Sequence, residues 1–151
     1  MGTQQIFMIV VSVIIIGIAI AVGITMLNDH AFLSNRRALA AELQDYSTLA
    51  IQYYKAPVSM GGAGGDASKV TLNSVAAFMA FNWNSTKLAA VGYYSASSSN
   101  GETRILEVNG QNVILKGLGK EEKRSKFPAV TLTLDLENNT IATNLSSSTS
   151  F

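Results

Sequence analysis

From Ile6 to Leu27 the chain carries no charged side chain, and Ile, Val, Ala, Gly, Met and Leu fill nearly every position. A run this uniform is apolar on every side of a helix rather than along one stripe. Its 22 residues, at ~1.5 Å rise each, make a helix of roughly 33 Å, enough to cross the hydrocarbon core of a bilayer. Charges begin at Asp29 and continue through His30, Arg36, Arg37, Glu42 and Asp45. Between and beyond them, Phe32, Leu39, Leu43, Tyr46, Ala50 and Tyr53 recur at steps of 7, 4, 3, 4 and 3, which puts them on one helical face. No Gly or Pro interrupts the chain between Gly23 and Pro57. The pattern therefore predicts one helix from about Thr3 to about Lys55, apolar all round in its first half and amphipathic in its second.

Past Pro57 the pattern breaks. Gly61, Gly62, Gly64 and Gly65 lie within five positions, and the segment 57–69 reads as a flexible connector. Val75, Phe78 and Met79 predict a short helix within 70–81, capped by Thr71 or Asn73 and ended by Asn82-Trp83-Asn84-Ser85. Short runs and turns follow. Val91–Ser95, Thr103–Val108 and Asn112–Lys116 are separated by Asn100-Gly101 and Asn109-Gly110, both hairpin signals. In Ala129–Leu136, Val130, Leu132, Leu134 and Leu136 share one face and Thr131, Thr133 and Asp135 the other, as in a strand buried on one side. Glu137-Asn138-Asn139 turns into Thr140–Leu145, and Ser146–Ser150 reads as a tail that is loose unless docked. A sheet with one apolar face needs a cover, which the amphipathic half of the long helix supplies. The expectation is an α+β fold: a long N-terminal helix on a four- to five-stranded antiparallel sheet. The chain divides into the helix (1–56, with 6–27 as membrane-spanning or filament-core half), the connector (57–69) and a small head (70–151).

Composition narrows the function classes. The net charge of +1 gives no electrostatic footprint for nucleic acid. With no cysteine there is no disulfide, thiolate metal site or thiol nucleophile. Met1-Gly2-Thr3-Gln4-Gln5 lacks the basic leader of a secretory signal, and Ile6 stands where myristoylation needs a hydroxyl.

An apolar half-helix, an amphipathic continuation, a connector and a small antiparallel sheet together resemble the layout of type IV pilins and pseudopilins. The local match is Thr3 followed by Met8-Ile9-Val10-Val11, which fall where the family's mature start commonly has Thr and then Met-Ile-Val-Val. On that alignment Gly2 is the first mature residue. The glutamate that the family carries near this point, held to pair with a neighbouring subunit's terminal amine, is replaced by Ile6. The family's helix-bending Pro is absent and Gly17 lies two residues later than its glycine. The resemblance implies a subunit of a helical homopolymer, handled by pilus assembly machinery and resident in the cytoplasmic membrane before it becomes part of an extracellular filament.

The residues that would carry such a role are apolar. Gly17 with Ala21 and Ala19 with Gly23 form two small-residue strips at a spacing of four, along which a second helix can approach closely. With Ile6, Phe7, Ile9 and Val13 they are the candidate helix–helix assembly residues. Asp29, His30, Arg36 and Arg37 are candidate intersubunit polar contacts, Glu42 and Asp45 being natural partners for the arginines. Asn84, Asn138 and Asn144 begin glycosylation acceptor patterns. Tyr46, Tyr53 and Tyr54 read as packing residues, and Lys120–Lys126 as a solvated charged loop. No catalytic set, phosphate loop or metal cluster stands out, so no enzyme activity and no cofactor are expected. The competing expectation is a membrane-anchored monomer or minor pseudopilin whose head binds a secretion partner. Arg36 and Arg37, following the span, favour a cytoplasmic head by the positive-inside rule unless a basic leader is removed.

Overall fold

The computed structural model of the chain describes residues 2–84 and 92–151. The N-terminal helix, α1, runs unbroken from Thr3 to Lys55, about 80 Å at the α-helical rise. It stops where the sequence requires: Ala56, preceding Pro57, is held extended at ψ 137° because the proline ring disfavours helical geometry in the residue before it. Phe32, Leu39, Leu43, Ser47, Ala50 and Tyr53 are buried. That is the expected stripe, except that Ser47 takes the place of Tyr46, which is only half-buried. The Ser47 hydroxyl donates to the Gln44 carbonyl, so it enters the core already satisfied.

The glycine-rich segment is ordered rather than a free linker. It doubles back on the end of α1 through two short 3₁₀ turns, Val58–Met60 and Ala67–Lys69. The backbone N–H groups of Ala63, Gly64 and Gly65 donate to the carbonyls of Tyr53, Ala56 and Tyr54, which satisfies the orphan acceptors of the helix terminus. Gly62 sits so close against Ala56 that an added Cβ would overlap it. Conformational freedom suggested a linker, whereas close backbone approach is what the glycine supplies here. The next helix, α2, spans Leu72–Phe78, with Thr71 and Ser74 forming a reciprocal capping box.

Among the described residues six strands form one antiparallel meander: β1 (Asn82–Asn84), β2 (Tyr93–Ser97), β3 (Gly101–Asn109), β4 (Asn112–Gly119), β5 (Phe127–Asp135) and β6 (Thr140–Ser148), in that spatial order. The extra strand over the four or five expected is β1, where Asn82-Trp83-Asn84 pairs with Tyr93–Ser95. A strand of three residues carries too little alternation to be seen in sequence. Val91, the first residue of an expected run, lies outside the described residues. The tail extends β6 to Ser148 instead of hanging free. Beyond it Phe151 stacks on the Arg104 guanidinium at 3.8 Å, and Tyr93 stacks on the same group at 3.8 Å.

Leu115, Val113, Val130, Leu132, Leu134 and Leu136 meet Leu39, Leu43, Ala50 and Tyr53 of α1 in one core. Beyond Lys116, β4 runs on through Gly117 beneath the helix to its end at Gly119. A Cβ on Gly117 would lie 2.7 Å from Leu43 Cδ1, and one on Gly119 would overlap Asn35 and Pro128. Placed two apart, both face α1, and their missing side chains let the helix lie directly on the sheet.

Candidate functional site

Among the described residues the head buries the second half of α1 and reaches the first half at Thr25. From Ile6 to Leu27 the large apolar side chains other than Val11 are 50% to 71% exposed, and α1 is long and apolar enough to cross a membrane. The hydroxyls in this half are satisfied internally: Ser12 Oγ donates to the Met8 carbonyl at 2.8 Å and Thr25 Oγ1 to the Ala21 carbonyl at 2.7 Å. Bonding back to position i−4 removes the need for water or a polar partner. Every candidate assembly residue lies on this surface: Ile6, Phe7, Ile9, Val13, Gly17, Ala19 and Ala21 are exposed and Gly23 is partly so. A Cβ added at Gly17 or Gly23 would meet nothing within 4 Å. Glycine costs a helix ~1 kcal/mol relative to Ala, and among the described residues no contact explains either one.

The candidate polar residues divide differently. Asp29 is engaged within the chain, with its Oδ1 2.6 Å from Lys123 Nζ on the β4–β5 loop. His30 and Arg37 are exposed. The Arg36 guanidinium lies 5.0 Å from the Phe32 ring centre, and among the described residues its buried Nε finds no hydrogen-bond acceptor. Glu42, considered as a partner for a neighbour's arginine, is committed to its own head: it accepts from Ser98 Oγ at 3.0 Å and Asn100 Nδ2 at 2.6 Å. Asn35 Nδ2 donates to the Asn100 carbonyl at 2.8 Å, and Asn35 Oδ1 accepts from the Lys120 backbone N–H at 3.2 Å. Asn35 and Glu42, seven residues apart on one helix face, pin the β2–β3 turn to α1. The sequence reading missed this role because it depends on a turn some sixty residues away.

Two of the tyrosines also tie the helix to the connector through their hydroxyls. Tyr53 and Tyr54 donate to the carbonyls of Lys69 and Gly65. Tyr46 packs edge-on against Phe81 at 4.7 Å, and its phenol pKa is raised first by burial and then by Glu42 and Asp45. Of the acceptor asparagines, Asn84 lies in β1, and its Ser85 and Thr86 fall outside the described residues. Asn138 donates its amide to Asp135 at 2.8 Å in the exposed β5–β6 turn, and Asn144 is exposed on β6. Among the described residues no three His, Cys, Asp or Glu side chains gather to hold a metal ion.

The surface with the most to bind is therefore the uncovered apolar half of α1. No family model, no curated protein and no solved structure matches the chain.

Proposed function

We propose that this protein is the structural subunit of an extracellular filament of the type IV pilus kind, held as a single-pass membrane protein before assembly and polymerised through the apolar half of α1. The observation that carries this reading is the exposed surface from Ile6 to Leu27, apolar on all sides, with its hydroxyls bonded to its own backbone. Water is a poor solvent for it. A bilayer covers it all round, and so does a bundle of identical helices, so one surface suits both states. Burying each large side chain contributes roughly 1.5–3 kcal/mol, and a fraction of them exceeds what any polymer contact needs. Gly17 with Ala21 and Ala19 with Gly23 supply close approach between neighbouring helices. The Ser-, Thr- and Asn-rich side of the sheet would face outward, away from the helical core.

With Ile6 where the family carries a carboxylate, assembly would rest on apolar packing without a charge pair to the neighbour's terminal amine. Ile6, together with the basic residues after the span, favours as second reading a membrane-anchored monomer or minor pseudopilin with a partner-binding head. Shearing cells, imaging the supernatant by electron microscopy and identifying filament protein by mass spectrometry separates the two. The chain is expected in the filaments. If a well-expressed chain stays wholly monomeric in the membrane fraction, the filament reading fails.

A further inference from the structure

We propose that the β4–β5 loop, residues 120–126, binds anionic phospholipid headgroups where α1 leaves the bilayer; this rests on the reading that Ile6–Leu27 spans a membrane. The loop is built and placed for that contact. Lys123 and Lys126 exchange backbone hydrogen bonds at 2.8 and 3.1 Å, with Arg124 at φ 53° and Ser125 at φ 59° between them. Two successive left-handed residues form the tight turn that usually calls for Asn-Gly, yet here an arginine occupies its tip.

The loop reaches back to the end of the apolar half. The Asp29–Lys123 ion pair fixes it, and Thr25, Asn28, Asp29, Glu122, Lys123 and Arg124 line a shallow depression of about 210 Å³ between helix and loop. Thr25 belongs to the apolar half itself. With Leu27 at the hydrocarbon boundary, the loop tip lies in the headgroup layer, which adds several ångströms on each side of the core.

The charges around this tip are unequally committed. Asp29 occupies Lys123, and Lys120 Nζ donates to the Ser98 carbonyl at 2.6 Å. Arg124 and Lys126 are exposed, and among the described residues neither makes a salt bridge. Glu121 and Glu122 on the same loop are the opposing acidic groups, both exposed. A free guanidinium and a free ammonium at headgroup depth match phosphate oxygens. Continuity with the span selects lipid over an acidic protein partner.

Because the chain has no cysteine, Ser125→Cys places a single fluorophore at the tip, and Thr140→Cys places one at the opposite end of β5. Full-length protein is reconstituted in nanodiscs of phosphatidylcholine, with or without phosphatidylglycerol, carrying a headgroup-attached quencher. Quenching at residue 125 is expected to exceed that at 140 and to rise with phosphatidylglycerol. It should fall back in 1 M salt, where the Debye length shrinks from ~10 Å at 0.1 M to ~3 Å. Arg124→Ser with Lys126→Ser should lose the phosphatidylglycerol-dependent part, whereas Arg124→Lys with Lys126→Arg should keep it. Incorporated protein with equal quenching at 125 and 140, or with quenching at 125 indifferent to phosphatidylglycerol and salt, overturns the proposal. A chain that never enters the nanodiscs overturns the membrane-spanning reading first, and this proposal with it.

Discussion

The two halves of α1 share one backbone and no break, yet their stability comes from opposite sources. Between Leu39 and Tyr53 the residues at every third or fourth position are buried against sheet and connector. The polar residues Asn35 and Glu42 are used to hold a turn of the same chain. Between Ile6 and Leu27 the large apolar side chains other than Val11 stay exposed among the described residues, and the hydroxyls of Ser12 and Thr25 turn back onto the helix. The second half is complete within one molecule. The first half is left apolar on its surface, and on the proposed reading lipid or copies of itself complete it. An amphipathic stripe therefore marks where a helix meets its own chain, and uniform apolarity marks where it meets something else.

The strongest way to break this comparison is to put a charge into the first half. Ile16→Lys places an ammonium at mid-span, at a cost of ~2.5–3.5 kcal/mol for the segment in a bilayer and an unpaired buried charge in any helical bundle. Sheared supernatants are expected to contain no filaments of this variant. Urea unfolding of the head in detergent should shift by no more than about 0.5 kcal/mol, because Ile16 is 58% exposed and belongs to no core. Filaments at the parent yield would place Ile16 outside the polymer interface.

The reverse test acts on the second half. Leu43 is fully buried between helix and sheet, so Leu43→Ala should destabilise the head by about 2–5 kcal/mol. Gly117→Ala should cost ~1–3 kcal/mol, because its new methyl would meet Leu43 Cδ1 at 2.7 Å. Gly17→Ala should leave the head's urea midpoint unchanged, since nothing lies within 4 Å of that Cβ, and act on filament yield instead. A neutral Gly117→Ala would mean that α1 does not lie as close to β4 as the structure has it.

How much of this was legible before the fold depended on how local each cause is. The helix bounds, the apolar half and the face of β5 follow from periodicity within one element, and sequence reading placed them to within a residue or two. The capping box of α2 was half visible, since Thr71 was one of two candidate caps beside Asn73 and the answering Ser74 side chain was not among the expectations. What sequence could not show are relations between distant segments. Glycines at 61–65 read as freedom because the spacing does not reveal that the chain doubles back, leaving Gly62 no room for a side chain against Ala56. The expected run Asn112–Lys116 stops short of Gly117 and Gly119 because the helix these glycines accommodate lies some seventy to eighty residues earlier. Asp29 and Glu42 read as free for a neighbour because their partners, Lys123 and the Ser98–Asn100 turn, are joined to them only by the meander.

The smallest expected effect concerns pH and separates head from rod once more. No ionisable side chain lies between Ile6 and Leu27, so acid has no group to titrate in the apolar half. In the head, Asp135 accepts from the Asn138 backbone N–H at 3.0 Å, from its side-chain amide at 2.8 Å and from the Glu137 N–H at 3.0 Å. These bonds favour the carboxylate and lower its pKa, the Asn138 backbone bond contributing most. A pKa depressed in the folded state gives stability that is present above the unfolded value of about 3.9 and lost as pH falls through the folded value. Asp66, lowered chiefly by the Ser68 side chain and then by its N–H, adds in the same direction. Both carboxylates are partly exposed, so solvent screens their contribution. Urea midpoints of the head in detergent, taken downward from neutral pH, should decline below about pH 4. Asp135→Asn should decline less steeply over that range, because the group that titrates is gone. Parallel slopes would show that the β5–β6 turn is not held by the carboxylate.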